Sequence, residues 1–282
     1  MLVTSRRPPC GTLRSGELVA ESFDGIFGFS PYPLSFSSQI HSLGLSSGVF
    51  TLCMKSGGGG ILVFGEILEP GIIYTPVIPS QNYYELNLQS ISVNGQELPI
   101  DPSVFRPSSV QKTVVDTGTA LAYLADGAFD PFVDAIAAAV SPSVRPVLRN
   151  EDRCFVSSSS ADSSFPSVAL HFVGGAAMIL KPRNYLRSED QTVYCIAWKK
   201  NYGRQITVLG DIVLMDKIVV HDLENMLFGW KEYDCSRSVN VVSSTRKKHV
   251  NSGHVSYKIS RNTGFAIMLA HVLIVYAIST AS

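Results

Sequence analysis

Residues 113–124, Thr-Val-Val-Asp-Thr-Gly-Thr-Ala-Leu-Ala-Tyr-Leu, constrain the fold more than any other stretch of the chain. Val114 and Val115 branch at Cβ and suit a buried strand. Gly118 lets the backbone turn sharply just after Asp116. This order predicts a strand that ends on a carboxylate, with Thr117, Gly118 and Thr119 supplying donors around it. A carboxyl group held in that way is a candidate general acid or base. The Asp-Thr-Gly triplet by itself is a weak signal that reads first as an ordinary strand and polar turn, so the remaining sequence has to discriminate.

The remaining sequence is a series of short apolar runs broken by turn residues. With 22 Gly, 15 Pro and 45% hydrophobic residues among 282, it reads as a β-rich globular protein with one large domain or two smaller ones. Residues 49–54 and 61–64 are expected to pair across the glycine run 57–60. A phosphate-binding loop would need a helix after those glycines, and a strand follows instead. Residues 84–91 alternate like a half-buried strand, and Asn94-Gly95 is a two-residue hairpin turn. Further strands are expected at 154–156, 168–173, 177–180, 193–198, 206–209, 217–223 and 227–230. Helical spacing is limited to residues 35–43, with Phe36, Ile40 and Leu43 on one face, and to 129–140, with Asp126 as the cap. Asp211, in a Leu-Gly-Asp context, reads as a turn aspartate rather than a second catalytic acid. Ile26-Phe27-Gly28 and Val208-Leu209-Gly210 form a weak internal repeat.

Formal net charge is zero, which gives no general attraction to nucleic acid. The one basic cluster, Arg246-Lys247-Lys248-His249, reads as a solvated spacer. The five cysteines, Cys10, Cys53, Cys154, Cys195 and Cys235, have no metal-type spacing, and the six histidines are scattered, so neither metal nor cofactor is expected. Their wide spacing fits disulfides in an oxidising compartment, with one cysteine left over. Residues 1–9 lack the apolar segment of a signal peptide. At the other end, residues 264–278 are almost wholly apolar, but at about 15 residues fall short of the roughly 20 a spanning helix needs. The small triplet Asn251, Ser252 and Gly253 and a polar spacer precede that tail, the pattern of a lipid-anchor attachment signal. A tail-anchored helix is the competing reading.

Taken together, the Cys10-Gly11 pair, residues 23–29, 61–76, 89–105 and 114–139, and the blocks 165–180, 194–198, 208–222 and 229–241 resemble pepsin-like aspartic proteases. The nearest resemblance is to the atypical plant-type, membrane-anchored branch. The resemblance implies an all-β, bilobal fold, with the C-terminal lobe complete and only the end of the N-terminal lobe present. It divides the chain into an N-terminal lobe remnant and interlobe segment (1–80), a catalytic lobe (81–236), a polar linker (237–263) and an apolar tail (264–282). It places Asp116 as one catalytic aspartate, with Thr117, Gly118 and Thr119 as its loop. Gly28 and Gly210 become the glycines of the strands crossing behind each active-site loop. It also implies the disulfides Cys154–Cys195 and Cys53–Cys235, leaving Cys10 free.

The departure is the missing partner aspartate: no second Asp-Thr/Ser-Gly occurs in the sequence. The expectation is therefore an N-terminally truncated aspartic endopeptidase, inactive alone. It would be monomeric at full length, take a peptide or protein substrate and bind no nucleic acid. It would be secreted, or held on the outer face of the plasma membrane by its tail or a lipid anchor. The alternatives are a non-catalytic, inhibitor-like binding protein and a homodimeric protease with one aspartate per chain.

Overall fold

The computed structural model describes residues 28–80, 82–150 and 152–242. Cys10, residues 23–27, the anchor triplet 251–253 and the apolar tail lie outside them.

Four sheets carry the architecture. The main sheet has ten strands: β1 (Val49–Met54), β2 (Gly60–Phe64), β4 (Ile73–Ile78), β5 (Tyr84–Leu86), β8 (Gln111–Val115), β9 (Ala122–Ala125), β16 (Trp198–Asn201), β17 (Gln205–Leu209), β18 (Lys217–Asp222) and β19 (Leu227–Glu232). Their spatial order is β16-β9-β17-β8-β5-β4-β19-β18-β1-β2. Only the β16–β9 and β17–β8 pairings are parallel within it. A second sheet joins β6 (Leu88–Val93), β7 (Gln96–Glu97), β12 (Val168–Phe172) and β13 (Ala177–Leu180). A third joins β10 (Arg145–Arg149), β11 (Asp152–Val156), β14 (Leu186–Ser188) and β15 (Val193–Ile196), and a two-stranded ribbon joins β3 (Glu66–Ile67) to β20 (Val241–Val242).

Local chemistry accounts for the turns. Asn94 and Gly95 both hold positive φ, 48° and 79°, as the tight β6–β7 hairpin requires. The glycine run closes the β1–β2 hairpin, with the Lys55 amide donating to the Gly59 carbonyl. Helix α1 (Phe36–Ser42) starts where the Ser35 hydroxyl accepts the Ser38 amide at 3.2 Å. Its expected apolar face is buried only in part: Phe36 packs on the Phe29 and Phe64 rings at 6.0 and 5.4 Å, while Leu43 is 69% exposed and Ser37 takes the buried position.

Helix α2 (Asp126–Ala139) buries Ala128, Phe132, Val133 and Ile136, and Phe132 meets the Trp198 ring at 5.1 Å. Asp126 is not its cap. Ala125 holds that position and has no polar side chain to cap with, while the Asp126 carboxylate binds Lys200 and the Gly203 amide. Residues 193–198 are also not one strand. The chain breaks at Ala197, whose amide donates to the Tyr185 carbonyl, so β15 stays in the third sheet and β16 crosses to the main one. Helices α3 (Ala161–Ser164) and α4 (Asp211–Leu214) are single turns.

Candidate active site

The chain leaves β8, turns through residues 116–121 and returns as β9. Strand β17 lies between the two, parallel to β8 and antiparallel to β9. The inserted strand forces β8 and β9 apart, so the connecting loop opens at the end of the sheet. Asp116 sits at the base of that loop, and its amide donates to the Leu209 carbonyl at 3.0 Å.

Asp116 is 9% exposed, and its side chain is fixed by local donors. The Gly118 amide donates to Oδ1 at 2.9 Å and the Thr119 hydroxyl to Oδ2 at 2.7 Å. Both bonds favour the ionised carboxylate. Thr117 is buried beside it. Residues 117–119 thus gather around Asp116, as the sequence predicts.

Gly210 and Gly28 differ. A Cβ at Gly210 would lie 1.9 Å from the Leu121 carbonyl oxygen and 2.3 Å from that of Thr119, so the loop and the β17–α4 corner can meet only at a glycine. At Gly28 a Cβ would meet nothing within 4 Å among the described residues, and neither Gly28 nor Phe29 lies in a strand. The close approach behind the Asp116 loop is made at Gly210.

Three functional candidates escape sequence reading. Asp211 is the first residue of α4, not a solvated turn residue. Its amide donates to the Thr119 carbonyl at 2.8 Å, and its Oδ1 is buried without a hydrogen bond. Burial, reinforced by the Asp116 charge, raises the Asp211 carboxyl to about 7. Glu85 lies in register with Val114, and burial raises its carboxyl, partly offset by Lys112. Lys217 is buried at the head of β18, and desolvation lowers its ammonium to about 8 despite Glu232 nearby. The Leu-Gly-Asp triplet and the first lysine of an apolar run were visible in sequence. Their burial depends on which distant strand covers them.

The cysteines pair as the resemblance implies, Cys53 with Cys235 and Cys154 with Cys195. Among the described residues, no group of three or more His, Cys, Asp or Glu side chains is placed to hold a metal, and no helix is long and apolar enough to cross a membrane.

Residues 83–232, more than half the chain, match the family model described as xylanase inhibitor C-terminal. Aspartic proteinase 36 of Arabidopsis thaliana is 33% identical over 240 residues, covering 82% of this chain and 50% of that protein. The chain belongs to the plant pepsin-like aspartic proteinase family. A second family member, aspartic proteinase 39 of the same plant, is 31% identical with the same coverage. Nepenthesin-2 of Nepenthes gracilis is 28% identical over 227 residues, 76% of this chain and 50% of that one. The chain thus spans about half the length of the curated relatives it matches. The fold is shared with the crystal structure of edgp, at a TM-score of 0.66 and 17% identity over 78% of this chain and 63% of that one. It is shared too with basic 7S globulin from soybean, at 0.62 and 20% identity over 76% and 59%. At this identity these likenesses speak to fold alone.

Proposed function

We propose that this chain carries the second-aspartate lobe of an endopeptidase that cleaves peptide bonds in acid. Asp116, fixed by the Gly118 amide and the Thr119 hydroxyl in a loop opened by β17, is the observation that carries the reading. In such enzymes two carboxylates share one proton. The charged one takes a proton from water while the protonated one donates to the scissile carbonyl. Asp116 can fill one of these roles, and a second aspartate from a preceding lobe fills the other. The lobe division near residue 80 belongs to the same proposal. Joined to a relative's first lobe, the chain is expected to cleave unfolded protein at acid pH, and Asp116→Ala should lower that rate by about 10³-fold or more. The chain alone should be inactive. Cleavage by the unextended chain, lost on Asp116→Ala, would favour a one-aspartate-per-chain dimer.

A non-catalytic, inhibitor-like role is the second reading, favoured by the matching xylanase inhibitor model. Tight binding to a glycosidase, with no cleavage by the joined protein, would select it. We also propose passage through the secretory pathway, which the two disulfides support, with a lipid anchor added near Asn251, Ser252 and Gly253. Phospholipase release from membranes checks this, and retention of residues 265–278 in the mature protein would refute it.

A further inference from the structure

Behind the Asp116 loop lies a set of buried polar groups that hydrolysis does not itself require. Lys217 is 1% exposed. Its Nζ donates to Asn184 Oδ1 at 2.9 Å and forms an ion pair with Glu232 Oε1 at 3.3 Å. Asn184 ends the 3-10 turn Pro182–Asn184 and is wholly buried. Its Oδ1 also accepts the Lys181 amide at 3.2 Å, and its Nδ2 donates to the carbonyls of Ile212 at 3.1 Å and Met215 at 3.2 Å. All four hydrogen-bonding positions of the amide are used. An ammonium facing Oδ1 permits only this orientation, since a flipped amide would present its NH₂ to Lys217 and its oxygen to two carbonyls.

Those two carbonyls belong to α4 and the residue that caps it. A single-turn helix cannot satisfy its own last carbonyls, so an external donor fixes that end. The other end is fixed to the catalytic loop: the Asp211 and Ile212 amides donate to the carbonyls of Thr119 at 2.8 Å and Ala120 at 3.2 Å. Thr119 in turn donates its hydroxyl to Asp116 Oδ2. A continuous path of hydrogen bonds and one helical turn therefore joins the Lys217 ammonium to the Asp116 carboxylate.

We propose that Lys217 and Asn184 are positioning residues for Asp116. The ammonium orients the amide, the amide holds α4, and α4 holds residues 119–120 so that the Thr119 hydroxyl stays on the carboxylate. The inference rests on Asp116 being a reacting carboxylate. The charged groups around Lys217 are Glu232 of β19, Lys181 and Arg183 of the 3-10 turn, and Asp216, which pairs with Arg183 at 3.3 Å.

The test is a carbon-13 NMR titration of the Asp116 carboxyl in the full chain, so it does not depend on proteolytic activity. Failure of the protease reading would leave the result standing. Lys217→Met and Asn184→Leu should each raise the Asp116 midpoint by about one pH unit; Asn184→Leu changes no charge, so its rise reports the loosened Thr119 bond rather than a lost cation. Leu170→Ala, a core truncation in β12, should lower stability without moving that midpoint. In the unmodified chain, the Asn184 side-chain amide and the Ile212 amide should shift in a step near pH 8 as Lys217 loses its proton, a step separate from the Asp211 titration near 7 and absent from Lys217→Met. An unchanged Asp116 midpoint in both folded variants, or an equal rise in Leu170→Ala, overturns the proposal. Should neither variant fold, absence of the alkaline step in the unmodified chain overturns it equally.

Discussion

Replacing His221 with phenylalanine is expected to stabilise the protein in acid, by roughly 4 kcal/mol at pH 3. His221 is fully buried in the main sheet among aromatic rings. It stacks on Phe50 at 4.3 Å and meets Tyr84 and Phe228 edge-on at 4.6 and 5.2 Å. Among the described residues its Nδ1 has no hydrogen-bond partner, and none contributes a charge that would stabilise the imidazolium. Burial alone lowers it from 6.5 to about 3. A folded pKa below the unfolded one means that the contribution to stability is intact above pH 6.5. It is lost progressively as the pH falls through about 3. Phenylalanine keeps the stack and removes the proton site.

Asp211 acts in the opposite sense. Its carboxyl is raised from 3.8 to about 7, so its contribution is intact below pH 3.8 and lost as the pH rises through 7. Between about pH 4 and 6.5 the two slopes have opposite sign, so Asp211 offsets the loss at His221. His221→Phe should therefore expose the Asp211 slope, a fall of about 1.4 kcal/mol per pH unit towards neutrality. Urea midpoints measured across this range check both statements. A variant whose pH curve parallels that of the parent protein would show that His221 does not titrate as a buried neutral ring. A fold with His221 uncompensated would weaken in the pH range of the proposed chemistry.

The sequence revealed what short-range chemistry decides. Asn94-Gly95, the glycine run at 57–60 and the Val-Val-Asp-Thr-Gly passage each specify their own backbone within a few residues, and each is found as read. The Asp116 loop was legible because its donors are its immediate neighbours. Elements whose identity depends on a distant partner were not legible. β10 has no apolar alternation, and its outer residues are exposed arginines, so only pairing with β11 makes it a strand. β16 begins in an apolar run and continues through two lysines, and its parallel pairing with β9 decides it. The same holds for the buried charges. Lys217 opens a strand and looks like an ordinary edge residue until Asn184 and Glu232 are brought over it. Asp211 looks like a turn residue until β17 is inserted beside the Asp116 strand.

Removing the Cys53–Cys235 bridge by paired alanine substitution should cost about 5 kcal/mol, against about 4 kcal/mol for Cys154–Cys195. The difference follows from the loops closed, sequence separations of 182 and 41 residues, because the longer loop frees more of the unfolded chain when released. The native packing points the same way. Cys53 and Cys235 join a small apolar cluster with Val49, Ile67, Ile218, Val220 and Val239, apart from the main core. Beyond Cys235 the chain is tied back by β20, whose only sheet partner among the described residues is the two-residue β3. Without the bridge, hydrogen exchange at Val241 should quicken before exchange in β18, as the terminal segment opens ahead of the sheet. Loss of Cys154–Cys195 should leave Val241 unaffected, since that bridge joins β11 to β15 in another sheet. A cost below about 1 kcal/mol for the longer loop, with Val241 exchange unchanged, would mean that the cluster and the β1–β18 pairing hold this region unaided, and that the unfolded chain is too compact for loop entropy to matter.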